Sequence, residues 1–237
     1  NNFIIPVLIA SIIPIINFLL VFFYLPETKP NIASNKSKNI LKNPLKELFK
    51  VFKEEKIKKL SLAFFIYFIA FTGLTNILIF FLQESLNWTT KASSGTLVVV
   101  GIIAIIVQGG LIGPLVKQLG EMRLTLIGSG FILVACSLLI TAPKENATIN
   151  IYTAVSFLAV GAGLITPTLR ALISKKLDVD KQGSILSNLQ GLQSLGGVLG
   201  IAMAGRVYDS FGPKSPFIAG SIILIFMIYL IAEGKNN

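Results

Sequence analysis

Seven apolar stretches, each close to the length that carries an α-helix across a bilayer, divide this chain from end to end, at about 3–24, 60–82, 93–116, 122–142, 151–174, 184–208 and 215–233. Crossing roughly 30 Å of hydrocarbon takes about 20 helical residues. Lipid offers no partner to a bare N–H or C=O, so only helices and closed barrels can span it, and barrel strands would be about half this long. The stretches therefore predict an all-α membrane protein of seven transmembrane helices. Turn formers fall between them: Pro26 and Pro30, Asn87-Trp88, Gly120-Glu121, Pro143-Lys144, Asp178 to Gly183, and Gly212-Pro213. Composition agrees, with 53% hydrophobic and 14% charged residues, against roughly 25% charged in a soluble domain.

The first stretch begins within a few residues of Asn1, with no basic n-region before it and no small-residue cleavage site after it. This reads as a span of a longer protein rather than a secretory signal.

The charge pattern sets orientation. Of 21 Lys and Arg residues, 17 fall in one set of alternate loops, ten of them between Lys29 and Lys59. The other set holds Lys91, Lys144, Arg206 and Lys214. The positive-inside rule places the first set, with the central loop and the C-terminus, in the cytoplasm. A net charge of +10 distributed this way is a membrane-orientation signal, not a nucleic-acid footprint. Within the loop 25–59, Asn43-Pro44 can start a short helix with Leu45, Leu48, Phe49 and Phe52 at helical spacing. Two readings stay open for it: a basic helix along the membrane surface, or a solvated linker.

There is no His, and the one thiol, Cys136, lies inside an apolar run. That leaves no His-based catalysis, no disulfide framework and no Cys/His metal site, so neither a metal nor a cofactor is expected. No Asp or Glu lies in the middle of a stretch, which argues against a membrane-embedded enzyme.

Polar residues inside the stretches are few. In the sixth, Ser187, Gln190, Gly191, Ser194 and Gly197 recur on one helix face, with Asn188, Gly196 and Gly200 nearby. Uncharged amides in a bilayer must face protein or water. Thr72 and Asn76 in the second stretch and Gln108 in the third join Asn188 and Gln190 as candidates for a substrate cavity. With the aromatics Phe64, Phe65, Tyr67, Phe68 and Phe71 they suit a large, mostly apolar or cationic-aromatic ligand. Arg170 and Arg206 are the cations near helix ends that could face the interior, with anchoring at the interface the favoured reading for both. Gly109, Gly196 and Gly200 are candidates for close helix packing, with Gly113 four residues beyond Gly109 on the same face. Pro114 and Gly120 bracket a tight turn that carries Lys117, Glu121 and Arg123.

The run from Gly113 to Arg123 (GPLVKQLGEMR) resembles the second, degenerate copy of the glycine–arginine loop motif of the major facilitator superfamily, in the form found in tetracycline-efflux and related drug:proton antiporters. Leu25-Pro26-Glu27-Thr28, Asn87-Trp88-Thr89, Pro167 to Ser174, Gln182-Gly183 and Gly212-Pro213 with Pro216-Phe217 are similar in the same order. Lys117 stands where the first copy of the motif has an acidic residue, and Met122 replaces a usual basic one.

The resemblance implies that 1–24 is the last helix of an N-terminal bundle otherwise absent, 25–59 the central cytoplasmic loop, and 60–237 the C-terminal six-helix bundle. It further implies a conformational role for Gly113, Pro114, Lys117, Gly120 and Arg123. The function it implies is a secondary transporter of a bacterial inner membrane that exports a small organic or drug-like compound against protons by alternating access. Nutrient uptake or facilitated flux by the same fold, and a non-transporting interaction protein, remain the alternatives.

Overall fold

Five of the seven expected spans coincide with one long helix each, whereas the third, 93–116, is divided between a helix, a π-helical turn and the start of the helix that holds the fourth. The computed structural model describes residues 4–24, 48–143 and 147–233. In chain order these hold α1 (Ile4–Tyr24), a 3-10 turn (Phe49–Lys53), α2 (Lys58–Leu86), α3 (Thr90–Ile106), a π-helical turn (Val107–Leu111), α4 (Ile112–Ile140), α5 (Thr148–Lys175), α6 (Val179–Phe211) and α7 (Ser215–Glu233). Among the described residues there is no strand. Among the described residues four stretches are long and apolar enough to cross a membrane: α2, Thr90–Ile140, α5 and α7. Thr90–Ile140 holds two of the expected spans, because Gly120 breaks α4 with φ 76° and ψ 158°. The 33-residue α6 is long enough but more polar. Contacts divide the chain into two units, 1–42, whose described part is α1, and 43–237.

Helix ends follow local chemistry. Asn87 closes α2 in the left-handed conformation at φ 53°, its N–H donating to the Leu82 carbonyl, a role that suits Asn or Gly. Thr89 then caps α3, its hydroxyl accepting from the Ala92 N–H at 3.3 Å. The tight turn expected between Pro114 and Gly120 is confined to Gly120, since 112–119 is helical. Pro114 acts upstream instead. Its ring has no N–H and crowds the carbonyl four residues back, and just there the backbone widens into the π turn, with the Ile112 N–H bonding the Val107 carbonyl.

In the second unit the most extensive pairings are α4 with α5 and α2 with α6, and α7 packs on α2 and α4. Glycines set the first two. A Cβ on Gly161 would lie 2.6 Å from the Gly128 carbonyl oxygen, and one on Gly73 would lie 2.8 Å from that of Gly200. Gly200 itself abuts the Ile69 carbonyl, and a Cβ on Gly196 would lie 3.1 Å from that of Phe65. Such approach is how helices associate where lipid removes the hydrophobic drive. Thr125 and Thr168 add a buried hydroxyl contact of 2.9 Å between α4 and α5. The seam expected at Gly109 is absent from this unit: nothing among the described residues lies within 4 Å of a Cβ on Gly109 or Gly113.

Ion pairs gather the lysine-rich helix ends at one rim, Lys59 with Glu233 at 2.7 Å, Lys181 with Glu54 at 3.0 Å, and Lys175 with Glu121. Tyr208 donates to Glu84 at 2.9 Å between the opposite ends of α6 and α2. The proposed helix start at Asn43-Pro44 and the residue Leu45 lie outside the described residues. The segment from Phe49 to Ile57 is a 3-10 turn and its exit docked on the bundle, not a surface helix: Val51 and Ile57 are buried, and Phe52 meets the Phe65 ring edge-on at 6.4 Å.

Gly161→Ala should destabilise the bundle by roughly 1–3 kcal/mol, the usual range for an overpacked contact, whereas Gly109→Ala should not. Thermal unfolding of the two purified variants against wild type checks this; equal midpoints for both would contradict the packing assigned to Gly161.

Candidate functional site

Most of the exposed surface is what lipid demands. Leu97, Val98, Ile105, Val198, Ile222 and Phe226 are all at least half exposed. Against that background the exposed amides Asn76, Gln108 and Gln190 stand out, since an amide in hydrocarbon has no partner.

Gln108 owes its position to the π turn, which interrupts the regular ladder of α3. π turns recur at functional sites because they re-aim side chains without ending the helix. With Phe71, Thr75 and Thr166 it lines a cavity of about 190 Å³. From there a polar line runs along α2 and α5. The Thr166 hydroxyl lies 3.3 Å from that of Tyr67, which is fully buried and stacks on Phe71 at 5.5 Å. One turn further along α5 is Arg170.

Arg170 overturns its sequence reading as an interface anchor. Its guanidinium lies 5.8 Å over the ring of buried Phe64. Nη2 donates to the Gln190 Oε1 at 2.7 Å and also to the Gln193 Oε1. Lys175 and Lys176 close the same helix and supply anchors enough, so nothing in the order of residues singles out the earlier cation. The polar spacing of α6 is the available signal, and it points to Gln190 but not to its partner.

The remaining candidates divide. Thr72 lies against Gly197, its methyl 3.6 Å from a Cβ placed there, and its carbonyl accepts from the Asn76 amide at 2.9 Å. Asn76 thus satisfies itself within α2, at the exposed edge. Asn188 is not with Gln108: it lines a groove at the lysine-rich rim with Lys50, Glu54 and Lys181. Of the expected stripe on α6, Ser187, Gln190 and Ser194 are exposed, while Gly191 receives Leu48 and Gly197 receives Thr72.

In the loop motif, Gly113, Pro114, Lys117 and Arg123 are exposed and Gly120 makes the turn. Gly113, Lys117 and Glu121 line a groove of about 310 Å³ against Pro167, Thr168 and Ala171. The motif's ionic partner is Glu121, to which the sequence pattern attaches no role. Its hydrogen bond from Lys175 on α5, aided by a backbone bond, holds its carboxyl below the usual range. Among the described residues no cluster could hold a metal ion.

A depressed carboxyl stabilises the fold above the ordinary Glu range, near about 4.3, and that stability is lost as pH falls through the lowered value. Lys175→Met should therefore lower the unfolding midpoint at pH 7 by about 1–2 °C, small because Lys175 is mostly exposed. The gap from wild type should close on acidification below the carboxylate range. A gap unchanged down to about pH 3, below the ordinary carboxylate range, would show that the pair contributes no charge interaction.

Comparison with known proteins places this geometry. The family model described as the Major Facilitator Superfamily matches residues 2–201. The chain is 21% identical over 253 residues to Hippocampus abundant transcript-like protein 1 of Homo sapiens, covering 95% of this chain and 49% of that protein. It is 29% identical over 182 residues to Multidrug resistance protein 2 of Bacillus subtilis, covering 74% and 44%. Against the class C tetracycline resistance protein of Escherichia coli it is 25% identical over 130 residues, covering 55% and 32%. The chain spans about half the length, or less, of these curated relatives. A helical membrane bundle with a polar face and a matching family model over most of its length belongs to the Major Facilitator Superfamily, a family of transporters and not of enzymes.

Proposed function

We propose that this chain is part of a secondary transporter that exports a small organic compound in exchange for protons, by alternating access. The observation that carries the reading is the set of exposed amides on an otherwise lipid-compatible bundle, one of which, Gln108, lines a cavity. Such a face needs water, a ligand or a second bundle. In this reading residues 60–237 form a C-terminal bundle that pairs with an N-terminal one, α1 is the last helix of that partner, and 25–59 links the two on the cytoplasmic side. Similarity to proteins named for tetracycline and multidrug resistance supports export over uptake.

Asn76, Gln108, Gln190 and Thr72 would form one wall of the cavity, with Asn188 at its cytoplasmic mouth. The hinge at Gly120 and the Glu121–Lys175 pair would let the ends of α4 and α5 shift when the bundles rock. No carboxylate lies mid-span here, so the proton carrier belongs to the paired bundle.

The test is the internal pH of proteoliposomes holding this chain with its N-terminal bundle, under an imposed proton gradient, on addition of lipophilic cations and tetracycline-like compounds. Substrate-driven proton movement that Gln108→Leu and Gln190→Leu each reduce several-fold, with Val98→Ala as an unaffected control, is the expected result. Compound uptake with no proton movement would replace antiport with facilitated flux.

A further inference from the structure

We infer that Arg170 is the docking point for an anionic group of the transported compound, a carboxylate beside an aromatic or apolar body. This deepens, and rests on, the transporter reading above.

Among the described residues the cation is held without a counter-charge. Among the described residues the carboxylate pairs are all made by lysines, at Lys58, Lys59, Lys175 and Lys181. Arg170 pairs with no carboxylate among them. Its partners are two neutral carboxamides and an aromatic face, reached from three helices: Gln190 and Gln193 on α6, Phe64 on α2, and its own α5. Amides and a ring fix the plane of a guanidinium without cancelling its charge.

A snorkelling anchor would do the opposite. It would run to the lysine-rich rim, about 8 Å away along α5 at 1.5 Å per residue. Instead both glutamine oxygens converge on Nη2, and Nε is buried with no hydrogen-bond partner among the described residues. An oriented guanidinium whose Nη1 makes neither glutamine bond, in a bundle that spans a membrane, is a site for an oxyanion, which that nitrogen can hold through charge-assisted hydrogen bonds.

The surroundings give the rest of the ligand. Thr166 is one turn along α5 and opens on the cavity with Phe71 and Gln108. Phe64 and Tyr67 are fully buried behind it, and Phe71 is the ring that reaches this cavity, whose other lining is mostly apolar. A charged head at Arg170 thus sits one turn of α5 from an apolar cavity that carries Phe71 and a single amide, Gln108. The aromatics alone suit an apolar or cationic-aromatic ligand; the held guanidinium turns that preference toward an acid.

The experiment uses the full transporter in phosphatidylcholine nanodiscs and three probes of one shape: tritiated 1-naphthoate, 1-naphthamide and 1-naphthylmethylamine. Equilibrium binding should show wild type preferring naphthoate over naphthamide by at least about tenfold, the scale of a charge-assisted hydrogen bond. Arg170→Gln should abolish that preference, and retained binding of naphthamide by the same variant reports a folded site. Arg170→Lys should restore only part of it, because an ammonium keeps the charge but loses the planar geometry that the two glutamines and the Phe64 ring hold. If Arg170→Gln does not fold, Arg170→Lys and Gln190→Leu take its place, and each should lower the preference.

Preference for the amine, equal binding of acid and amide, no naphthoate binding, or a preference untouched by the Arg170 variants would each overturn the inference. So would loss of the preference when phosphatidylglycerol replaces phosphatidylcholine, since the cation would then serve a lipid phosphate. Proton movement driven by cations in the proteoliposome assay, without an acid preference, would sink this assignment alone. An acid preference without any proton movement would sink antiport alone.

Discussion

Where helices cannot gain by hiding apolar surface from water, contact distance decides what packs, and in this bundle two glycine contacts set the distances. Gly73, Gly196 and Gly200 draw α2 and α6 together until backbone meets backbone, and Gly128 with Gly161 does the same for α4 and α5. The polar face depends on the first of these. With α6 held against the Phe65–Ile69 turn of α2, Gln193 comes level with Phe64, and the guanidinium from α5 can reach over that ring to both glutamines. A bulkier residue at Gly196 or Gly200 would push α6 outward and separate the amides from their cation.

The apolar surface and the polar line then divide the labour. Val198, Leu199 and Ile201 are exposed on the same helix that offers Gln190 and Gln193 to Arg170. α6 is therefore two-faced in a stricter sense than a soluble amphipathic helix, because neither face can tolerate exchange with the other: an amide turned to lipid has no partner, and an isoleucine turned to the cavity leaves Arg170 unpaired.

Much of the architecture was legible because lipid permits so few solutions. Seven stretches near the spanning length could only be helices, and Asn87, Thr89, Gly120 and Gly212 mark boundaries through conformations or caps that few other residues supply. The site was legible only in part. Gln108 and Gln190 are conspicuous, since an amide inside an apolar run demands an explanation. Asn188 is equally conspicuous, yet it lies at the rim, because a polar residue two positions away on a helix turns by more than half a circle. Arg170 was hidden for another reason: a cation five residues from a helix end can always be read as an anchor, and only the tertiary approach of α6 shows that it is not. Gly109 differs, since a glycine pair four residues apart states only that a helix can come close, and none does so among the described residues.

Pro114 shows how one residue serves both the local and the functional level. Its missing N–H leaves a backbone carbonyl to be accommodated one turn upstream, and the chain widens into a π turn instead of bending sharply. That turn carries Gln108 to the cavity that Thr166 also lines. Beyond the proline, the helix runs on to the break at Gly120, after which Glu121 meets Lys175. In the transport cycle proposed above, the break would serve as a pivot with one charged tether, with Gln108 riding on the segment before it. A tilt about Gly120 would leave the Gly128–Gly161 contact in place but would carry Val107 away from Gly163 and Leu164, so the cavity wall and that apolar cluster would shift together.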